Sequence, residues 1–178
     1  DSPENVYLDH FYYGRLLKEK KQYDEALVQL DEALALDSSK VEVYQVISAI
    51  YEERRDYPQA ITAYKKYMDA LKKPGEMGRL FCYGRLNYLA ASDSTLRNLQ
   101  PIYLAEADNA FTHVMDSAPE NYLGSFWRAR TNSLLDSETT EGLAKPYYEI
   151  ALAILEQEPD ASVSQKVEQR MSMKERMA

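Results

Sequence analysis

The residues with reactive chemistry to offer are few: His10, His113 and Cys82. A histidine acts as a general base only beside a nucleophile and an orienting partner. Neither His10 nor His113 has an obvious Ser, Cys or carboxylate partner in the repeat geometry, so both read as structural or surface residues. Cys82 lies between Phe81 and Tyr83 in an apolar run and reads as a small buried thiol. A single cysteine also excludes an intramolecular disulfide and a cysteine-based metal site. No His–Glu metal spacing, glycine-rich phosphate loop or nucleophile elbow occurs. The acidic pairs Asp31-Glu32 and Glu52-Glu53 read as solvated helix exteriors. The expectation is a chain that is no enzyme and holds no metal or cofactor.

One pattern suits recognition instead. Phe11 and Arg15, Phe81 and Arg85, and Phe126 and Arg130 are i, i+4 pairs, and a small residue (Gly14, Gly84, Ala129) precedes each arginine. Guanidinium groups bind carboxylates or carbonyls through paired donors, and aromatic and arginine side chains are enriched among interface hot spots. The net charge is −8 and the pI near 4.9, a field that repels phosphate backbones and anionic lipid. Nucleic acid and membranes are therefore not expected partners. A hydrophobic content of 45% over 178 residues is that of a globular protein, and no apolar run approaches the ~18 residues of a membrane span. No targeting segment is present. Asp1 in place of an initiating Met leads us to expect a trimmed piece of a longer, soluble protein of the cytoplasm or a bacterial periplasm.

The elements that must position these residues repeat. Tyr23-Asp24-Glu25-Ala26-Leu27 returns 34 residues later as Tyr57-Pro58-Gln59-Ala60-Ile61, and Leu30 pairs with Tyr64, Tyr13 with Ile47 and Leu17 with Tyr51. A fixed period of this size marks a helix–turn–helix array. The stripe Ala26, Leu27, Leu30, Ala33, Leu34 is that of an amphipathic helix over about residues 23–36, and the preceding helix is expected over about residues 6–19. Phe81-Cys82-Tyr83-Gly84-Arg85-Leu86 echoes Phe11-Tyr12-Tyr13-Gly14-Arg15-Leu16. Phe126, Ala129 and Arg130 echo it again. Between Gly84 and Ala107 about 11 residues have been added, near 90–100, so longer helices with a protruding corner are expected there. Pro58 and Pro101 suit first helical turns, and Pro74-Gly75 suits a helix stop.

These residues resemble the tetratricopeptide repeat (TPR) family, and the likeness covers about residues 7–158. The small residues Gly14 and Ala26, the Leu17/Tyr51 position and the 34-residue period carry it, most strongly in the first two repeats. The resemblance implies an all-α fold: eight or nine helices in four antiparallel pairs, forming a right-handed α-solenoid, as in a bacterial TPR-containing protein or a fragment of one. A single array is expected over 1–161, with repeats at about 7–40, 41–74, 77–121 and 122–158. The polar segment 162–178 is expected to form a C-terminal capping helix. Most of the fifteen tyrosines, among them Tyr13, Tyr51, Tyr64, Tyr83 and Tyr148, fall at the family's packing positions and are expected in the core.

The resemblance also implies a non-catalytic scaffold that binds a protein or peptide segment in a concave groove lined by the first helices. Phe11, Arg15, Phe81, Arg85, Phe126 and Arg130 are then the expected groove residues, with Gln45 and Ala49 leaving a gap in the ladder. A subclass of the family clamps acidic chaperone tails with Lys and Asn; Phe11 and Arg15 stand at those positions here. Two other readings remain. The array is a packing or homo-oligomerisation module whose groove is self-occupied, or it is an enzyme or small-ligand receptor using the corner near 90–100.

Overall fold

The computed structural model describes residues 3–71, 76–138, 140–157, 165, 167, 168 and 171, with side chains from residue 5. All its extended elements are helices, and they fall into two compact units, Asp1–Pro74 and Gly75–Ala178. The Pro74-Gly75 stop lies outside the described residues.

The first unit holds α1 (Pro3–Glu19), α2 (Tyr23–Leu36), α3 (Glu42–Glu53) and α4 (Tyr57–Ala70). Helix α1 pairs with α2 and α3 with α4, while α2 and α3 join the two hairpins. The Ala26, Leu30, Ala33 stripe is fully buried, in one core with Tyr7, Phe11, Leu17, Val43, Ile47 and Ile50. Gly14 sets the distance between α1 and α2. A Cβ there would stand 2.9 Å from Leu30 Cγ and 3.3 Å from the Ala26 carbonyl oxygen. At the same register in the second hairpin Ser48 is buried, and its hydroxyl donates to the Ala60 carbonyl at 2.8 Å.

Both hairpin turns end their first helix in the same way. Lys21 and Arg55, 34 residues apart, adopt positive φ (60° and 61°). Gln22 N–H donates to the Leu17 carbonyl and Lys21 N–H to that of Lys18; Asp56 to Tyr51 and Arg55 to Glu52 repeat the arrangement. This is the Schellman closure, in which glycine avoids the Cβ penalty of the left-handed region. Lys21→Gly and Arg55→Gly are each expected to raise stability by up to ~1 kcal/mol, read from a chemical-denaturation midpoint. Asp56 also caps α4 by accepting from Gln59 N–H, and Pro58 sits in the first turn, where its missing N–H costs nothing.

Polar latches reinforce the seam between the hairpins. Tyr7 O–H donates to Glu42 at 3.0 Å and Tyr23 O–H to Glu53 at 2.8 Å, while Lys18 pairs with Glu53 at 2.7 Å and Arg54 with Asp24 at 2.6 Å. Burial, then the Glu42 contact, holds the Tyr7 phenol well above its ordinary pKa.

The second unit holds α5 (Met77–Ser92), α6 (Gln100–Ser117), α7 (Tyr122–Leu135) and α8 (Lys145–Leu155). The added residues lengthen α5 and α6 and place a 3₁₀ segment, Ser94–Leu99, between them. Asp93 starts that segment by accepting from the Thr95 N–H and hydroxyl, and Pro101 lies in the first turn of α6. Phe111 is the largest fully buried side chain. Its ring meets Phe81 edge-on at 5.8 Å and stacks on Trp127 at 5.5 Å. It also fills the space that Gly84 leaves, since a Cβ on Gly84 would come within 2.8 Å of it. Gly124 lets α7 approach α6 even more closely: its Cβ would stand 2.6 Å from both Met115 N and Cα.

Phe126, Ala129, Ala144, Tyr148, Ala151 and Leu155 form the last layer, together with Val167 and Met171. Apart from residues 165, 167, 168 and 171, the expected capping segment 162–178 lies outside the described residues.

The turn after α7 is organised by one carboxylate. Asp136 accepts from the backbone N–H groups of Thr140, Glu141, Gly142 and Leu143 at 2.8–3.4 Å, and from the Thr140 hydroxyl. Burial pushes its pKa up, but the four amides outweigh burial and hold it below the ordinary carboxylate value. A depressed folded pKa contributes stability above the unfolded value of ~3.9, and that stability is lost as pH falls through the lower folded value. Asp136→Asn is therefore expected to lower the thermal midpoint at pH 7 and to shrink the difference between pH 7 and pH 3. Paired melts of both proteins at the two pH values measure it.

Candidate functional site

The three Phe–Arg pairs divide by depth. Phe11 and Phe126 are buried and Phe81 is half-buried; Arg15 is exposed, and Arg85 and Arg130 are half-buried. The phenylalanines are thus part of the cores beneath the first helices, and the arginines lie nearer the surface. One helical turn explains the split for Phe11. It follows Tyr7 by four residues, the two rings stack at 5.8 Å, and Tyr7 is anchored to α3 through Glu42.

In the first unit Arg15 borders an open hollow of ≈ 270 Å³ between α1 and α3, lined also by Lys18, Glu19, Gln45, Val46 and Ala49. Gln45 and Ala49, the two residues that break the Phe–Arg ladder, form its α3 wall. The hollow exists because Ala49 is short where the other first helices carry arginine. The two cations on the rim are not equivalent. The hydrogen bond from Lys18 lowers the Glu53 pKa, and the same bond raises that of Lys18 despite its burial. That ammonium is therefore committed to Glu53. Arg15 has its guanidinium 5.7 Å from the Phe11 ring centroid, and no ion pair to it occurs among the described residues. It is the cation of this hollow that can accept an anionic or carbonyl partner.

In the second unit Phe81, Phe126 and Arg130 converge on Trp127. Its ring lies 5.7 Å from Phe81 and 6.4 Å from Phe126, and the Arg130 guanidinium lies 4.6 Å from its centroid. Arg130 also donates to the Tyr88 hydroxyl at 3.1 Å. Stacked in this way, the guanidinium is held in one orientation. Phe81 forms one wall of an almost wholly apolar recess of ≈ 180 Å³, lined also by Met77, Gly78, Val114, Asn121 and Leu123. A recess of that size and lining has room for an apolar side chain. Arg85 lies on α5, one turn beyond Phe81.

Trp127 escaped the sequence reading, although the signal was present: it is the only tryptophan and adjoins Phe126. Arg128 was missed as well. It forms a paired contact with Asp108 at 3.0 and 3.1 Å and lies over the Tyr147 ring at 4.2 Å, tying α6, α7 and α8 together. His10 hydrogen-bonds Gln29 at 2.9 Å, and His113 is exposed with its carbonyl accepting from Ser117. No cluster of three or more His, Cys, Asp or Glu suited to a metal occurs among the described residues.

Helix pairs recurring along the chain, pinned where Gly14 and Gly84 face the second helix, define a helical-repeat scaffold. No family model and no curated protein matches the sequence. Solved structures do. The C-terminal part of a TPR repeat-containing protein from Cytophaga hutchinsonii aligns over 90% of this chain at 27% identity, with a TM-score of 0.70. The chain spans 57% of that structure's length. YrrB, described as a TPR protein with an unusual peptide-binding site, aligns over 90% of each chain at 16% identity with a TM-score of 0.40, too distant to bear on the site. The chain has the all-α helical-repeat fold of tetratricopeptide repeat proteins. No helix among the described residues is long and apolar enough to cross a membrane.

Proposed function

We propose that this chain is a non-catalytic scaffold that binds a protein or peptide segment on the faces of its first helices, with Arg15, Arg85 and Arg130 as the polar contacts. The observation that carries this reading is the hollow between α1 and α3, with an exposed Arg15, in no ion pair among the described residues, on its rim where the ladder residues of α3 are Gln45 and Ala49. The guanidinium takes a carboxylate or a main-chain carbonyl of the bound segment. The shallow floor accommodates its backbone. In the second unit, taken by itself, the Phe81 recess takes an apolar side chain, and Arg130, preset on Trp127 and Tyr88, supplies a polar contact. Phe11 and Phe126 support this face from beneath.

The test is a display selection of random peptides on the intact chain, followed by affinity measurement against arginine variants. Arg15→Ala is expected to weaken peptides held by the first unit, and Arg130→Ala those held by the second, by tenfold or more, since hot-spot truncations cost ~2 kcal/mol and 1.4 kcal/mol is a factor of ten. Arg15→Ala is expected to leave the denaturation midpoint unchanged, because the residue is exposed and outside any ion pair among the described residues. Peptides indifferent to both changes would refute the proposal.

A further inference from the structure

Two seams, α2 against α3 and α6 against α7, share one register. Ala26 of α2 corresponds to Ala107 of α6, and Tyr51 of α3 to Asn132 of α7, each pair 81 residues apart. The α2–α3 seam is shut by rings and charge. Tyr51 packs on the core, Tyr23 donates its O–H to Glu53 at 2.8 Å, and Arg54 pairs with Asp24 at 2.6 Å. At the positions of Tyr51, Tyr23, Arg54 and Asp24 the α6–α7 seam carries Asn132, Leu104, Leu135 and Ala105. Both rings and the ion pair are gone. In their place a cleft of ≈ 350 Å³ opens between α6 and α7, and these four residues line it. It has about twice the volume of the Phe81 recess and falls in the range of small-molecule sites.

The polar side of the cleft decides what it can hold. Asp108 accepts from two N–H groups of Arg128 at 3.0 and 3.1 Å and from the Asn132 amide at 2.8 Å. Its charge is therefore already matched. A cationic ligand would have to displace Arg128, and an anionic one would add like charge beside Asp108 on a chain of net charge −8. What stays available is neutral. The Asn132 carbonyl oxygen and both ends of the exposed Asn109 carboxamide make no hydrogen bond among the described residues, and both side chains line the cleft. They offer an N–H donor and two carbonyl acceptors beside the apolar walls of Leu104, Ala105 and Leu135. The group that answers with one acceptor and two donors is a primary carboxamide. We propose that this cleft binds an uncharged small molecule that carries a carboxamide on an apolar body. The Phe81 recess has room for one side chain at about half this volume, so the occupant here is a free molecule and not a side chain of a bound protein.

The probe is benzamide, with benzoate and benzamidine as its anionic and cationic counterparts of the same shape, each titrated into the nitrogen-15-labelled full chain. The expected result is a saturable shift of the Asn109 and Asn132 side-chain amide signals by benzamide, with both charged probes binding weaker by about tenfold or more. Asn109→Ala is expected to weaken benzamide by about three- to tenfold, the range for lost hydrogen bonds. It should leave the denaturation midpoint unchanged, because the side chain is exposed and makes no hydrogen bond among the described residues. Ala105→Asp combined with Leu135→Arg rebuilds across the cleft the ion pair that shuts the α2–α3 seam. Both positions are exposed, so the fold should hold, and benzamide should no longer saturate the two asparagine signals. A shift without saturation in the parent, equal binding of the three probes, or parental affinity in the double variant overturns the proposal. So does full affinity in Asn109→Ala.

Discussion

Phe111→Ala is expected to destabilise the second unit by about 3–5 kcal/mol, the range for a fully buried phenylalanine whose cavity cannot collapse. Collapse is blocked here because the rings on either side brace each other: Phe81 meets Trp127 edge-on, and Trp127 is held in turn by Tyr88 and Phe126. The space that Phe111 fills was made by Gly84, so the two positions should couple. Gly84→Ala alone is expected to cost ~1–3 kcal/mol by forcing the ring out of its place. In a Phe111→Leu background the added methyl has room, and the penalty should fall well below the single-mutant value. Trp127 is the only tryptophan and lies in this unit, so its fluorescence during urea titration reports the transition directly. Equal Gly84→Ala penalties in the two backgrounds would contradict the packing described.

Gly124→Ala is expected to be more damaging than Gly84→Ala, at about 3 kcal/mol or more, although the chemical change is the same single methyl. At Gly84 the obstacle is the far edge of a side chain. At Gly124 it is backbone, Met115 N and Cα at 2.6 Å, so helices α6 and α7 must separate. That separation also strains the paired Arg128–Asp108 contact and the Asn132–Asp108 hydrogen bond that cross the same seam. Gly78→Ala is the internal control. Nothing lies within 4 Å of the added Cβ, and the glycine is helical, so the change should be neutral or stabilising by up to ~1 kcal/mol. Urea midpoints of the three glycine variants test the order.

The sequence and the structure agree most closely where packing is internal to one hairpin. Helix α2 occupies residues 23–36 as its stripe predicts, and Gly14 sits against Leu30 and Ala26 because only residues on facing positions of one hairpin are involved. Local spacing is enough to see that. The seams between hairpins were less legible. Gly124 stands where α3 has valine, and no pattern within one repeat shows that its neighbour will be the backbone of Met115. Tyr13 follows the packing pattern yet is half exposed, on the side of α1 away from the core that holds Leu17 and Phe11. Phe11 and Phe126 looked like groove residues from their i, i+4 spacing to arginine. Their depth depends on Tyr7 and Tyr148, whose rings reach them only once the helices have packed. The hollow beside Arg15 was visible as a break in the ladder at Gln45 and Ala49, since the loss of a long side chain can be read from sequence alone.

The claim that the first helices are the binding face is tested most directly on the arginines themselves. A peptide selected on the intact chain would be titrated into nitrogen-15-labelled protein while the side-chain Nε–H signals are followed. The account predicts that the signals of Arg15, Arg85 and Arg130 shift with saturation while those of Arg54, paired with Asp24, and Arg128, paired with Asp108, stay in place. Saturable binding that leaves the three unmoved, or that shifts Arg54 and Arg128 instead, would contradict it and assign the bound segment to another face.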